Sequence, residues 1–203
     1  MYQLPKLSYL FQDFEPYIDT HTMGLHYYKH QQNYLNQLNT LLVKNNYNYQ
    51  YSLEELLFHI NDFPVASRED ILFNLGGVLN HNLYWKSISP RLAEKPSGKL
   101  KGQIETTFGN YEKFFEVFKG KAMQLKGAGY TFLVLKSTGQ LDIVNTSNQD
   151  TPLLVGDIPL LNVDLWEHAY YLNYENDKMK YLDNFGQIVD FAYANKIFNS
   201  IMK

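Results

Sequence analysis

The 203-residue chain has no cysteine, only two tryptophans and no long apolar run. Without thiols, disulfides and thiolate metal sites are excluded, so any bound metal must use imidazole and carboxylate, ligands that suit manganese, iron or zinc. A dominant charge is also lacking: 18 Lys and Arg against 21 Asp and Glu leave a net −3, with the basic residues scattered. That argues against nucleic acid, whose phosphates call for a concentrated basic patch. No stretch approaches membrane-spanning length, and "MYQLPKLSYLF" lacks the basic start and apolar core of a secretory signal. The expected address is therefore cytoplasmic, with no membrane partner. Aromatic residues are plentiful, with 17 Tyr and 13 Phe. The length suffices for one large domain or two small ones packed together.

From Asp19 to about Lys44 there is no proline, and apolar residues recur at helical spacing through Leu35, Leu38, Leu42 and Val43, which predicts one long helix. After the asparagine-rich "KNNYNYQY", Ser52 and Glu55 have the spacing of a capping box ahead of "LEELLFHI". Ser67 and Asp70 announce a third helix running to Pro90. "SPRLAEKPSGKL" is the candidate linker, dividing a helical hairpin domain, residues 1–89, from a second domain, residues 90–203. In the second part, "ETTFGNYEKFFEVFKGKAMQL" has helical periodicity interrupted by Gly109. "GYTFLVLKSTGQLDIVN" predicts a two-stranded hairpin, "IPLLNVDLW" a third strand and "DKMKYLDNFGQIVDFAYANKIF" a closing helix. The fold class is α+β, with a small three-stranded antiparallel sheet.

His26, His30 and Tyr34 follow one another at steps of four along the first helix and climb one face of it; His81 and Trp85 repeat the step on the third. Histidines that merely edge the core would account for either set alone. Gly76-Gly77 weakens that account, because each glycine inside a helix costs about 1 kcal/mol relative to alanine. Close helix packing would use the space, and so would an inserted side chain, for which "NTSNQDTP" with Gln149 is a candidate donor. Asp164 and His168 share a face whether their segment is extended or helical. Each tryptophan accompanies a histidine, Trp85 after His81 and Trp166 before His168, as a rigid wall around one site would require.

Taken together, "TMGLHYYKHQQNYLNQLN", "GGVLNHNLYW", "TSNQDTP" and "LNVDLWEHAYYLNY" resemble the signature segments of the iron/manganese superoxide dismutases, over nearly the whole chain. The resemblance implies that His26, His81, Asp164 and His168 bind one metal ion, with water or hydroxide completing its coordination. It implies that Gln149 hydrogen-bonds this solvent, as in manganese-type members that carry glycine at the place of Gly77. Manganese is therefore the preferred cofactor and iron the alternative. Tyr34 and His30 would line the path of substrate and protons. Glu167 and Tyr171 would cross a homodimer interface, and Trp85 and Trp166 would wall the site. The implied reaction converts two superoxide anions and two protons to dioxygen and hydrogen peroxide, the ion alternating between +3 and +2.

The chain departs from the family pattern in several places. Tyr130, Phe132, Gly186 and Phe191 stand where tryptophans are common, and Lys178-Met179 replaces an Arg-Pro pair. Lysine keeps the charge but loses the guanidinium fork. Lys29 and Lys178 are the candidates for local attraction of the anionic substrate. His21 and His59 fall outside the matched positions and read as surface residues. A ferritin-like dinuclear site would need paired E-x-x-H motifs, which are absent. A metal-binding relative with little or no turnover is the remaining alternative.

Overall fold

A computed structural model of the chain describes residues 1–90 and 93–202; Arg91 and Leu92 of the expected linker, and Lys203, lie outside the described residues. The first long helix is continuous but not uniformly α-helical. It comprises α1 (Thr20–Leu25), a π segment (His26–Gln31) and α2 (Gln32–Lys44). Asp19 starts it, its side chain accepting the Thr22 N–H at 2.6 Å. The Gln32 N–H reaches back to the Tyr27 carbonyl, the five-residue span of a π turn. The α-helical step of four expected between His26 and His30 is therefore made across a π segment instead.

The Ser52–Glu55 capping box forms as expected and opens α3 (Leu53–Phe58). The Ser67–Asp70 start does not form. Helix α4 (Val65–Lys86) begins earlier, directly behind Pro64, whose φ of −55° already suits a helix entry. Arg68 ties this entry down by donating to the Phe63 carbonyl at 2.9 Å. α2 and α4 pack as the arms of a helical hairpin around Leu35, Leu38, Leu42, Ile71 and Leu75. From Leu75 to Trp85 every residue of α4 except Asn82 is buried, because this stretch is covered by α2 on one side and by the sheet on the other.

The C-terminal domain combines helices with an antiparallel sheet. Gly109, at φ +97°, ends α5 (Gly98–Phe108), and Asn110 caps α6 (Tyr111–Gln124) by accepting the Lys113 N–H at 2.8 Å. The last residues of the expected linker are thus already helical. Strands β1 (Gly129–Leu135), β2 (Leu141–Ser147) and β3 (Ile158–Asp164) lie in the order β2-β1-β3. β1 is buried on both faces: Tyr130, Phe132 and Val134 pack with Leu83 of α4, while Leu133 and Leu135 join Phe114 and Phe118 of α6. The register pairs Tyr130 with Asp164, so the end of β3 is held against α4.

A short α7 (Tyr171–Tyr174) follows the third strand. The expected single closing helix is two, α8 (Lys178–Ile188) and α9 (Ala192–Ile201). Tertiary contacts break it. Val189 bridges to Ile88, and Asp190 Oδ1 accepts the Glu94 N–H at 2.8 Å and the Ala192 N–H at 3.0 Å. Among the described residues no helix is long and apolar enough to cross a membrane.

Candidate metal centre

Four side chains from both domains meet behind this packing. His26 comes from the π segment, His81 from α4, Asp164 from the end of β3, and His168 from a 3₁₀ turn, Glu167–Ala169. Asp164 and His168 do not share one regular element. Asp164 Oδ1 accepts the Trp166 N–H at 2.8 Å, and this turn brings His168 back over the carboxylate. The other oxygen, Oδ2, faces the Nε2 atoms of His26 at 3.1 Å, His168 at 3.3 Å and His81 at 3.7 Å. One nitrogen or oxygen from each of the four residues lies within 4.8 Å of the others.

The electrostatics suit a cation. Asp164 is fully buried, and an uncompensated buried carboxylate is costly. Burial alone would raise its pKa, yet the facing imidazoles, His168 first and then His26, hold it well below the usual carboxylate range. Burial pushes His26 down to about 4, against the hydrogen bond to Asp164, and takes His81 well below its ordinary value. Both rings are therefore neutral near pH 7, the form that coordinates metals. His81 is also fixed in tautomer, because its Nδ1–H donates to the Gly77 carbonyl at 2.6 Å and leaves Nε2 with a free lone pair. The Nε2 atoms of His81 and His168 are buried without a hydrogen-bond partner. Buried polar atoms are rarely left so, and a metal ion would satisfy both. The donor set, three imidazoles and a carboxylate, fits manganese or iron.

The remaining candidates surround this cluster. His30 stacks on His168, with ring centroids 4.1 Å apart. The Trp85 ring lies 4.8 Å from His26, and Trp166 stacks 5.7 Å from His168. Trp85 is buried, whereas Trp166 is partly exposed in the single chain. Tyr34 sits 5.5 Å from His81, and its half-buried hydroxyl is raised in pKa, chiefly by burial. Gln149 is buried, faces the Tyr34 and Tyr130 hydroxyls, and has no hydrogen bond of ordinary geometry at either amide atom. Tyr130, at a family tryptophan position, puts its hydroxyl 3.3 Å from His81 Nδ1. Glu167 is exposed, as are Lys29 and 46% of Tyr171. Lys178 Nζ lies 6.0 Å from the Tyr170 ring centre. The missing bulk at Gly186 is filled by Phe115, which a Cβ there would approach to 2.7 Å. His21 is exposed, and His59 stacks on Tyr51 at 3.8 Å, away from the cluster.

The two glycines have separate uses, and neither is filled by the Gln149 side chain. A Cβ at Gly77 would meet the Tyr34 ring at 2.6 Å, whereas one at Gly76 would come within 2.0 Å of the Gln149 backbone carbonyl. Asn80, to which sequence reading assigns no role, holds that same carbonyl. Its Nδ2 donates to the carbonyls of Gln149 and Asp150 at 3.1 Å each, and its own carbonyl accepts from Asn162 Nδ2 at 2.9 Å. Its position beside His81 is the only signal in the sequence. Gly76→Ala is expected to destabilise the protein by roughly 1–3 kcal/mol, the usual range for overpacking. Urea unfolding would measure it; an unchanged midpoint would mean that the 149–150 turn yields freely.

Comparison with known proteins decides the family. The alpha-hairpin domain of the iron/manganese superoxide dismutases matches residues 1–89, and their C-terminal domain matches residues 96–197. The chain belongs to the iron/manganese superoxide dismutase family. "Superoxide dismutase [Mn]" of Listeria innocua serovar 6a is 39% identical over 199 residues, covering 98% of each chain. "Superoxide dismutase [Mn] 3" of Leptolyngbya boryana is also 39% identical, over 98% of this chain and 83% of its own. "Superoxide dismutase [Mn]" of Thermus aquaticus is 36% identical over 97% of each.

Proposed function

We propose that the protein is a superoxide dismutase that holds one manganese ion per subunit on His26, His81, Asp164 and His168. The observation that carries this reading is the convergence of three imidazole nitrogens on Asp164 Oδ2, two of them buried without a partner. The relatives named for manganese support that ion; iron accepts the same ligands and is the alternative. Bound there, the ion supplies a one-electron couple between +3 and +2, which turns two superoxide anions and two protons into dioxygen and hydrogen peroxide.

The chain's own residues orient the ion and move the protons. Tyr34 keeps its proton through the neutral range, since burial raises its pKa, and its half-buried ring 5.5 Å from His81 supports a role in proton delivery. Gln149 presents an amide that donates or accepts, and an outer partner of this kind tunes the groups bound to a metal. His30, stacked on His168, stands beside the cluster where it can pass protons on. Lys29 and Lys178 supply local positive potential to an anionic substrate approaching a chain of net negative charge.

In this reading residues 1–89 and 90–203 are two domains that share the ion, a division supported by the two matched family segments. The working form is a homodimer in the cytoplasm. The exposed Glu167 and Tyr171 lie close in sequence to the partly buried His168 and support an interface with a second copy there. Metal-free protein loaded separately with manganese and with iron tests the proposal. Dismutation should rise with manganese content to about one ion per chain, in a species sedimenting as a dimer. Full loading without turnover would instead leave a metal-binding relative with little or no dismutase activity.

A further inference from the structure

Beside the cluster lies a buried amide with no part in the reading above. Gln31 is the last residue of the π segment and is fully buried. Its Oε1 accepts the Trp85 indole N–H at 2.7 Å, and its Nε2 donates to Asn82 Oδ1 at 2.8 Å. Both partners belong to α4, Asn82 directly after His81 and Trp85 one turn beyond. The segment that carries Gln31 also carries His26 and His30. One side chain thus joins the two helices that supply the helical half of the cluster. It grips the ring that lies 4.8 Å from His26.

We propose that Gln31 is a positioning residue: by clamping Trp85 and the π turn to α4 it sets His26 at its distance from His81. The proposal rests on the metal-binding reading of those histidines. The two bonds need an acceptor for the indole N–H and a donor for the Asn82 carbonyl at once, which an amide offers and methionine, leucine or glutamate does not. The bond to Trp85 is buried and that to Asn82 partly buried, so a group left unpaired there, the indole N–H above all, is unfavourable. A π turn is a rare backbone state, so support from a neighbouring helix bears directly on where its side chains point. Without the clamp the indole is free to shift, and His26 loses its wall.

The test compares Gln31→Met, which keeps length but no polar group, with Gln31→Glu, which keeps the acceptor for Trp85, in wild-type and Trp85→Phe backgrounds. Three quantities are read on manganese-loaded protein: the rate of Mn²⁺ loss to excess chelator, the visible absorption of the oxidised ion, and the melting temperature. Gln31→Met is expected to speed metal loss roughly tenfold, as outer-shell substitutions do, and to move the absorption band. Gln31→Glu should recover part of both. In the Trp85→Phe background, Gln31→Met should add less than about twofold, the mark of action through one shared partner. Asn82→Ala, which removes the far end of the clamp, should act in the same direction and provides the measurement if Gln31→Met folds poorly. A lower melting temperature with unchanged metal loss and spectrum, or equal effects in both backgrounds, would overturn the proposal alone. Wild-type protein that retains no manganese would overturn the metal reading and this proposal with it.

Discussion

His168→Ala is expected to leave the protein nearly free of metal after loading and dialysis, with dismutation reduced by more than about 100-fold, beyond the loss typical of outer partners. The substitution removes one of three imidazoles aimed at Asp164 Oδ2, and with it the largest influence that holds the Asp164 carboxyl down. It also deletes the ring on which His30 stacks at 4.1 Å. The turn itself should persist, because it is closed by backbone and by Asp164 Oδ1 rather than by the imidazole. Elemental analysis alongside circular dichroism separates loss of metal from loss of fold. A folded variant with wild-type metal content would remove His168 from the ligand set.

Gln149→Ala should behave in the opposite way, keeping its metal while turnover per bound ion falls by roughly 10–100-fold. The amide belongs to none of the four converging groups, so coordination survives its loss. The loop should stay in place as well, since Asn80 holds residues 149 and 150 by their backbone carbonyls at 3.1 Å and not through the glutamine side chain. What disappears is the buried amide facing the Tyr34 and Tyr130 hydroxyls. Activity assayed per metal ion gives the answer, and an unchanged rate at full loading would dismiss Gln149 from the reaction.

Much of the architecture is legible in local chemistry. The Ser52–Glu55 box, the Gly109-Asn110 break and the β-branched runs of the sheet act through neighbours in sequence, and the structure follows them. The misread boundaries depend on remote partners. Ser67 and Asp70 have capping spacing, but Pro64 has already started the helix; the C-terminal helix divides because Ile88 and Glu94 engage Val189 and Asp190. The π segment gives no sign in residue types, since it is a shift of backbone hydrogen bonds to more distant carbonyls.

By itself, the sequence excluded thiolate ligands, and its resemblance to the family, carried by distinctive segments, pointed to His26, His81, Asp164 and His168; side-chain chemistry is carried by every residue wherever it lies. Only the tertiary structure decided how they meet. Orientation toward Asp164 Oδ2, the fixed tautomer of His81, the Tyr34 ring over Gly77 and the Gln149 carbonyl over Gly76 all require groups far apart in the chain to occupy neighbouring volume. Packing of α4 between its partner helix and the sheet imposes that proximity, and no local pattern encodes it.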